Sequence, residues 1–105
     1  MNEKPLEEVI MELIVNSGNA RSMAMEAIKC AKACKYDEAD RLISDAENEI
    51  HKAHEFQTEL VYKEAGGEKI EMSLLMCHGQ DHLMTAMVVI EMAEEFLELY
   101  KIIKK

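Results

Sequence analysis

The feature that most constrains the fold is the scarcity of residues that interrupt helices. Only one proline and four glycines occur in 105 residues, and apolar side chains recur at spacings of three and four along most of the chain. That spacing is typical of amphipathic α-helices. The sequence therefore predicts a single all-α domain over residues 1–105, with helices at about 5–34, 37–65 and 68–104.

A few residues mark where these helices begin and end. Pro5 suits a first helical turn, because the amide hydrogen that proline lacks would be unpaired there in any case. Asp37 is a typical N-cap for the second helix. Gly66-Gly67 fits its end, since glycine readily adopts the left-handed conformation that follows a helix C-terminus. We therefore expect an antiparallel three-helix bundle with short connections.

The third segment carries apolar residues on two neighbouring stripes, more than a solitary three-helix bundle requires. The first stripe comprises Leu75, His78, His82, Thr85, Val89, Met92, Phe96, Leu99 and Ile103. The second stripe comprises Ile70, Leu74, Cys77, Asp81, Met84 and Val88. We expect one stripe to pack inside the chain and the other against sister chains, because a domain of this size gains stability by oligomerising.

The charge balance limits the classes of partner. The chain has 21 acidic and 12 basic residues and a formal net charge of −9, which disfavours binding to nucleic acid or to an anionic membrane surface. It has no apolar run of membrane-spanning length and no basic-then-apolar leader, so we expect a cytoplasmic protein. In that reducing compartment its three cysteines should remain thiols.

His78, Asp81 and His82 form an ionisable cluster inside the apolar stripes. Imidazole and carboxylate groups are costly to bury, so their position indicates a chemical role. On a helix His78 and His82 share one face, about 6 Å apart along the axis. Four interpretations remain open here: hydrogen-bonded histidines that only pack in the bundle, a reactive imidazole with supporting neighbours, a catalytic zinc bound by both imidazoles and a carboxylate, or a non-enzymatic metal-binding or scaffolding bundle.

The segment 74–85 (LLMCHGQDHLMT) resembles the signature of the enzyme IIA component of the lactose/cellobiose-type sugar phosphotransferase system. The stretches 53–60 (AHEFQTEL) and 18–22 (GNARS) resemble the same family, so the likeness covers almost the whole chain. Two positions depart from the family pattern. Gly79 stands where alanine is usual and should loosen the helix locally, and Cys77 stands where an aliphatic residue is common.

The resemblance implies a phosphoryl relay in a homotrimer, a nine-helix bundle. His78 would accept a phosphoryl group from the histidine-containing phosphocarrier protein. It would pass the group to a cysteine of enzyme IIB, for uptake of a β-linked disaccharide through the membrane enzyme IIC. His82, and Gln80 from a neighbouring chain, would hydrogen-bond the phosphoryl oxygens. Asp81 would hold one structural divalent cation per trimer, commonly magnesium, on the trimer axis.

Overall fold

The computed structural model describes residues 5–104, which form three long helices. α1 spans Leu6–Lys32, α2 spans Tyr36–Ala65 and α3 spans Leu74–Ile103. The chain reverses direction twice, giving a slender bundle of 53 × 21 × 21 Å. The predicted all-α, three-helix architecture is confirmed for the described residues, and the trimer stays a prediction. The ends of the predicted domain, 1–4 and 105, lie outside the described residues.

None of the helices in this part of the chain combines the length and the apolar character needed to cross a bilayer.

α1 ends two residues earlier than predicted, in a turn built on Cys34. This residue has a positive φ of 60°. The Cys34 amide donates to the carbonyl of Ala31 (3.0 Å) and the Lys35 amide to that of Cys30 (2.9 Å). These two hydrogen bonds are the Schellman pattern that satisfies the last carbonyls of a helix. Glycine is the usual residue at such a position, so a cysteine gives no signal in the sequence.

The two ends of α2 agree with the prediction to different degrees. Gly66 caps the helix, and Gly67 follows with a φ of 102°, as the sequence predicts. At the other end the prediction of Asp37 as N-cap is wrong, because Lys35 holds that position and Asp37 lies in the first turn. An acidic side chain in the first turn still interacts favourably with the helix dipole.

The largest correction concerns the start of the third helix, which is Leu74 and not about Glu68. Ser73 is the N-cap, and its Oγ accepts a hydrogen bond from the Met76 backbone amide at 3.1 Å. Such a cap satisfies one of the amides that lack a partner at a helix N-terminus. The preceding connection instead places Ile70 against the core at this end of the bundle.

The core depends on small residues, which let the helices approach closely. The fully buried alanines are Ala20, Ala24, Ala27, Ala31, Ala39, Ala46, Ala53, Ala86 and Ala93. α1 packs against both other helices more extensively than α2 and α3 pack against each other. At the far end of the bundle the Tyr36 hydroxyl donates to the backbone carbonyl of Tyr100 at 3.0 Å, which ties α2 to α3.

The buried face of α3 is neither of the two predicted stripes. It comprises Met76, Gly79, Leu83, Ala86, Ile90, Ala93 and Leu97. The prediction that one stripe packs inside the chain is therefore wrong, because glycine and alanine form much of the true contact with the other helices. Both predicted stripes are exposed or half-buried along α3. We define the outer stripe as the exposed residues nearly opposite the buried face: Leu74, Cys77, Asp81, Met84, Val88, Met92 and Leu99.

Candidate functional site

α3 places the two imidazoles of His78 and His82 side by side, as their spacing predicts. Their Nε2 atoms are 3.1 Å apart, and the rings meet edge to face with centroids 4.5 Å apart and planes at 87°. At this distance one nitrogen donates and the other accepts. His78 is exposed and His82 is half-buried. The pair thus offers an exposed imidazole, that of His78, with a second imidazole within hydrogen-bond distance.

Asp81 lies close to this pair in sequence but on a different face of α3. Its carboxylate is exposed on the outer stripe. Its backbone carbonyl accepts a hydrogen bond from the Thr85 hydroxyl at 2.8 Å, which fixes that hydroxyl within the helix. Asp81 therefore lines the same open hollow as His78 but projects from α3 along the outer stripe.

The described residues of a single chain contain no complete metal site. Within residues 5–104, no group of three or more His, Cys, Asp or Glu side chains is arranged to hold a metal ion. The zinc alternative, with both imidazoles and a carboxylate, therefore lacks its third ligand among the described residues of a single chain. A carboxylate site shared among copies of the chain is compatible with the exposed position of Asp81.

Gln80 is turned away from His78 within the same chain. Its Oε1 accepts a hydrogen bond from Gln57 Nε2 of α2 at 2.6 Å, and its Nε2 donates to Met76 Sδ at 3.6 Å. Two residues along a helix correspond to a rotation of about 200°, so Gln80 and His78 project to opposite sides. The predicted role of Gln80 on a neighbouring chain's phosphoryl group stays a prediction.

Gln57 is a residue in contact with the candidate site that the sequence analysis did not single out. The available signal was a polar side chain in the family-like stretch 53–60. Gln57 directly follows the half-buried Phe56 and lies three residues before the buried Leu60. A polar residue among packing positions needs a hydrogen-bond partner. The sequence alone did not identify that partner, because it lies on a different helix.

Gly79 forms the contact directly behind His78. A Cβ atom built on it would lie 3.2 Å from Leu13 Cδ2 and 3.3 Å from Ile10 Cγ2, so the glycine permits a close approach of α1. α3 continues through Gly79 without interruption. The expected local loosening of the helix is therefore not seen, and the glycine instead tightens the packing between the two helices.

The surroundings of the imidazoles combine apolar and basic surface. On one side is an open hollow lined by Leu74, Leu75, Cys77, His78 and Asp81. On the other is a groove between α1 and α3 lined by Gly18, Arg21, Ser22, Met25, Glu26, Lys29 and His82. The family-like stretch 18–22 therefore lies beside His82. Its Arg21 brings a positively charged side chain to this side of an acidic protein.

His51 and His54 take no part in this cluster. They line a separate groove between α2 and α3 that also contains Glu47 and Glu94. Burial, and then the nearby Glu47 carboxylate, raise the pKa of Glu94 above its ordinary value. The His51 imidazole lies 3.9 Å from a Glu55 carboxylate oxygen on the surface of α2. The structure thus leaves His78 and His82 as the imidazole pair of interest.

Comparison with known proteins agrees with the resemblance. The family model for PTS system, lactose/cellobiose-specific IIA subunits matches residues 8–101. The chain is 54% identical over 101 residues to the lichenan-specific phosphotransferase enzyme IIA component of Bacillus subtilis (strain 168), covering 96% of this chain and 91% of that protein.

Solved structures give the same result. The PTS cellobiose-specific enzyme IIA from Bacillus anthracis has a TM-score of 0.92 and 50% identity, with 97% of this chain and 94% of that chain covered. The IIA(chitobiose) protein of Escherichia coli, determined in a complex with HPr, has a TM-score of 0.86 and 40% identity over 98% of this chain and 100% of that chain.

Proposed function

The chain belongs to the lactose/cellobiose-specific enzyme IIA family of the sugar phosphotransferase system, and we propose that His78 is its phosphoryl carrier. His78 takes the group from the histidine-containing phosphocarrier protein HPr and passes it to a cysteine of enzyme IIB, in the cytoplasm. Enzyme IIC then imports and phosphorylates a β-linked disaccharide. The observation that carries this proposal is the exposed His78 imidazole with its Nε2 3.1 Å from that of His82.

The chemistry needs little beyond these two rings. The Nε2 lone pair of neutral His78 attacks the phosphorus of the donor phosphohistidine, and the donor P–N bond breaks as the new one forms. The leaving imidazole keeps the bonding electron pair. His82, released from its hydrogen bond to His78, donates its N–H to a phosphoryl oxygen. Such transfers depend on in-line positioning and on stabilising charge on the equatorial oxygens.

HPr is the donor that both similarity and charge support. A relative with 40% identity was determined in a complex with HPr. The net charge of −9 on this chain favours a partner with a basic surface around its reactive histidine. The transfer to enzyme IIB uses the same exposed nitrogen, since His78 must release the group to a second partner.

The outer stripe of α3 supports assembly into a trimer. Its large side chains are uncovered, with Leu74 88% and Val88 59% exposed, and an apolar stripe along a whole helix indicates an interface. Viewed down α3, His78 lies about 60° to one side of Asp81 and Gln80 about 100° to the other. With Asp81 on a threefold axis, His78 of one chain therefore faces Gln80 of the next, and each site is shared.

Asp81 is then the ligand of the shared cation. Three carboxylates converging on an axis repel one another unless they share a positive charge or a proton. Oxygen ligands suit a hard divalent cation such as magnesium. One ion per trimer would stabilise the assembly electrostatically and take no part in phosphoryl transfer.

Asp81→Leu is expected to preserve the trimer and to remove its dependence on metal. Leucine replaces three repelling carboxylates with apolar contacts, which is neutral or favourable in comparable buried charged sites. Sedimentation velocity measures the assembly of the variant, and thermal unfolding with and without a chelator measures the dependence on metal. The unmodified protein should lose thermal stability when chelated, whereas the variant should not respond. A variant that sediments as a monomer would contradict the axial position of Asp81.

The test of the proposed function is phosphorylation of the unmodified protein. Incubation with phosphoenolpyruvate, enzyme I and HPr is expected to add one phosphate per chain that is labile in acid and stable in base, as a phosphoramidate is. Metal analysis of the same preparation should give one ion per three chains. No phosphate, together with one metal ion per chain, would contradict the relay and support the non-enzymatic metal-binding bundle instead.

A further inference from the structure

Gln57 is a polar residue of α2 whose only described partner belongs to the candidate site. Its Nε2 donates to Gln80 Oε1 at 2.6 Å, an amide–amide hydrogen bond between α2 and α3. Both side chains are half-buried in a groove whose other walls are mainly apolar. An amide pair in such surroundings keeps its geometry, because breaking it leaves polar groups poorly solvated.

With Gln57 as the donor, as in this arrangement, the hydrogen bond leaves the NH2 end of the Gln80 amide free. An amide has one carbonyl acceptor and one NH2 donor group, and the two ends exchange places when the group rotates by 180°. With its oxygen directed at Gln57, Gln80 turns its NH2 group the other way, towards Met76 Sδ at 3.6 Å. A thioether is a weak acceptor and uses at most one of the two N–H bonds. A second N–H is therefore available.

This orientation matters because the proposed ligand is an anion. A phosphoryl oxygen on the neighbouring chain's His78 is stabilised by an N–H donor and repelled by a carbonyl oxygen. Resting on the relay and trimer proposed above, we infer that Gln57 is a positioning residue for phosphoryl transfer. It fixes the amide of Gln80 so that the donor, and not the acceptor, faces the phosphoryl group across the subunit interface.

Gln57→Glu is the variant that reverses the orientation. A carboxylate only accepts hydrogen bonds, so Gln80 would turn its NH2 group inward and present its carbonyl oxygen to the phosphoryl group. The maximal rate of transfer from phosphorylated HPr is expected to fall about 100-fold, the scale of losing one aligned donor. The HPr concentration giving half-maximal rate should change by less than about twofold, since HPr binding is not affected. Gln57→Leu, which leaves the Gln80 amide free to rotate, should lower the maximal rate of transfer about tenfold.

Two controls separate this role from a general effect of charge or stability. Tyr62→Glu adds the same charge at a 73% exposed position of α2 and should leave the transfer rate unchanged. In a Gln80→Ala background, Gln57→Glu should cause no further loss, because a residue that acts only through Gln80 has nothing left to orient. Thermal unfolding checks that each variant remains folded.

The outcomes distinguish this inference from the proposed function. If the unmodified protein accepts phosphate and Gln57→Glu transfers at the same rate, Gln57 has no positioning role while the relay stands. An equal loss with and without Gln80 would also overturn the inference, since Gln57 would then act by another route. If the unmodified protein accepts no phosphate, the relay itself is wrong.

Discussion

His78→Ala is expected to abolish phosphate incorporation, and His82→Ala to slow it about 100-fold without abolishing it. Alanine at 78 removes the only nitrogen proposed to bond to phosphorus, so no alternative path to a phosphoramidate remains. Alanine at 82 removes a donor 3.1 Å from that nitrogen, and losing one aligned donor costs on the order of 10² in rate. The measurement is the initial rate of label transfer from phosphorylated HPr, with mass spectrometry for stoichiometry.

Both substitutions should leave the fold intact, because neither imidazole belongs to the buried face of α3. His54→Ala is the matched control, since His54 is an exposed histidine on α2 in a groove that does not contain His78. The His54→Ala protein should accept phosphate at the same rate as the unmodified protein. Phosphate retained by His78→Ala would exclude this imidazole as the carrier, and equal behaviour of His78→Ala and His82→Ala would exclude the division of roles between them.

The helical frame was predictable where the signal is local. Apolar spacing and the Gly66-Gly67 pair identify α2 and its end, because helix propensity and capping act within a few residues. The errors at Cys34 and Ser73 are also local. A cysteine in the left-handed conformation carries no recognisable signal, and a serine N-cap in an already periodic segment is easily read as part of the helix.

The faces of α3 were less predictable, because they depend on which helix comes close to which. The sequence draws attention to large apolar side chains, yet Gly79 forms a close contact with α1, where Leu13 and Ile10 pack against it. Large residues on the outer stripe are exposed in the single chain, and the proposed trimer would supply their partners. The assignment of one stripe to the interior of the chain was therefore wrong, and the assignment of the other to sister chains stays a prediction.

The candidate site shows the same division between local and distant information. The His78–His82 pair follows from a spacing of four on one helix, and the structure confirms that the two rings meet. The contact between Gln57 and Gln80 joins two helices across 23 positions of sequence. No periodic pattern encodes such a contact, because the relative rotation of α2 and α3 is set by packing against α1.

Val88→Asp is expected to convert the trimer into monomers and to reduce phosphoryl transfer severely. In the proposed trimer this position lies on the same side of α3 as Asp81, so three new carboxylates would meet near the axis. Like charges a few ångströms apart repel by about 4 kcal/mol per pair near a protein surface. Each lost valine contact removes roughly 1.5–3 kcal/mol more. Transfer falls because Gln80 of a neighbouring chain no longer reaches the His78 phosphoryl group.

Tyr62→Asp provides the comparison that assigns this effect to the outer stripe. Val88 is 59% and Tyr62 is 73% exposed in the single chain, so a charge at either position costs the isolated bundle little. In a measurement of molecular mass in solution, the Tyr62→Asp protein should therefore remain a trimer of about 36 kDa, three times the chain mass of 12.0 kDa. The Val88→Asp protein should have about the mass of one chain. Circular dichroism should show both variants fully helical. A Val88→Asp protein that stays trimeric would place the interface elsewhere, whereas a helical monomer that transfers phosphate at full rate would show that each chain carries a complete site.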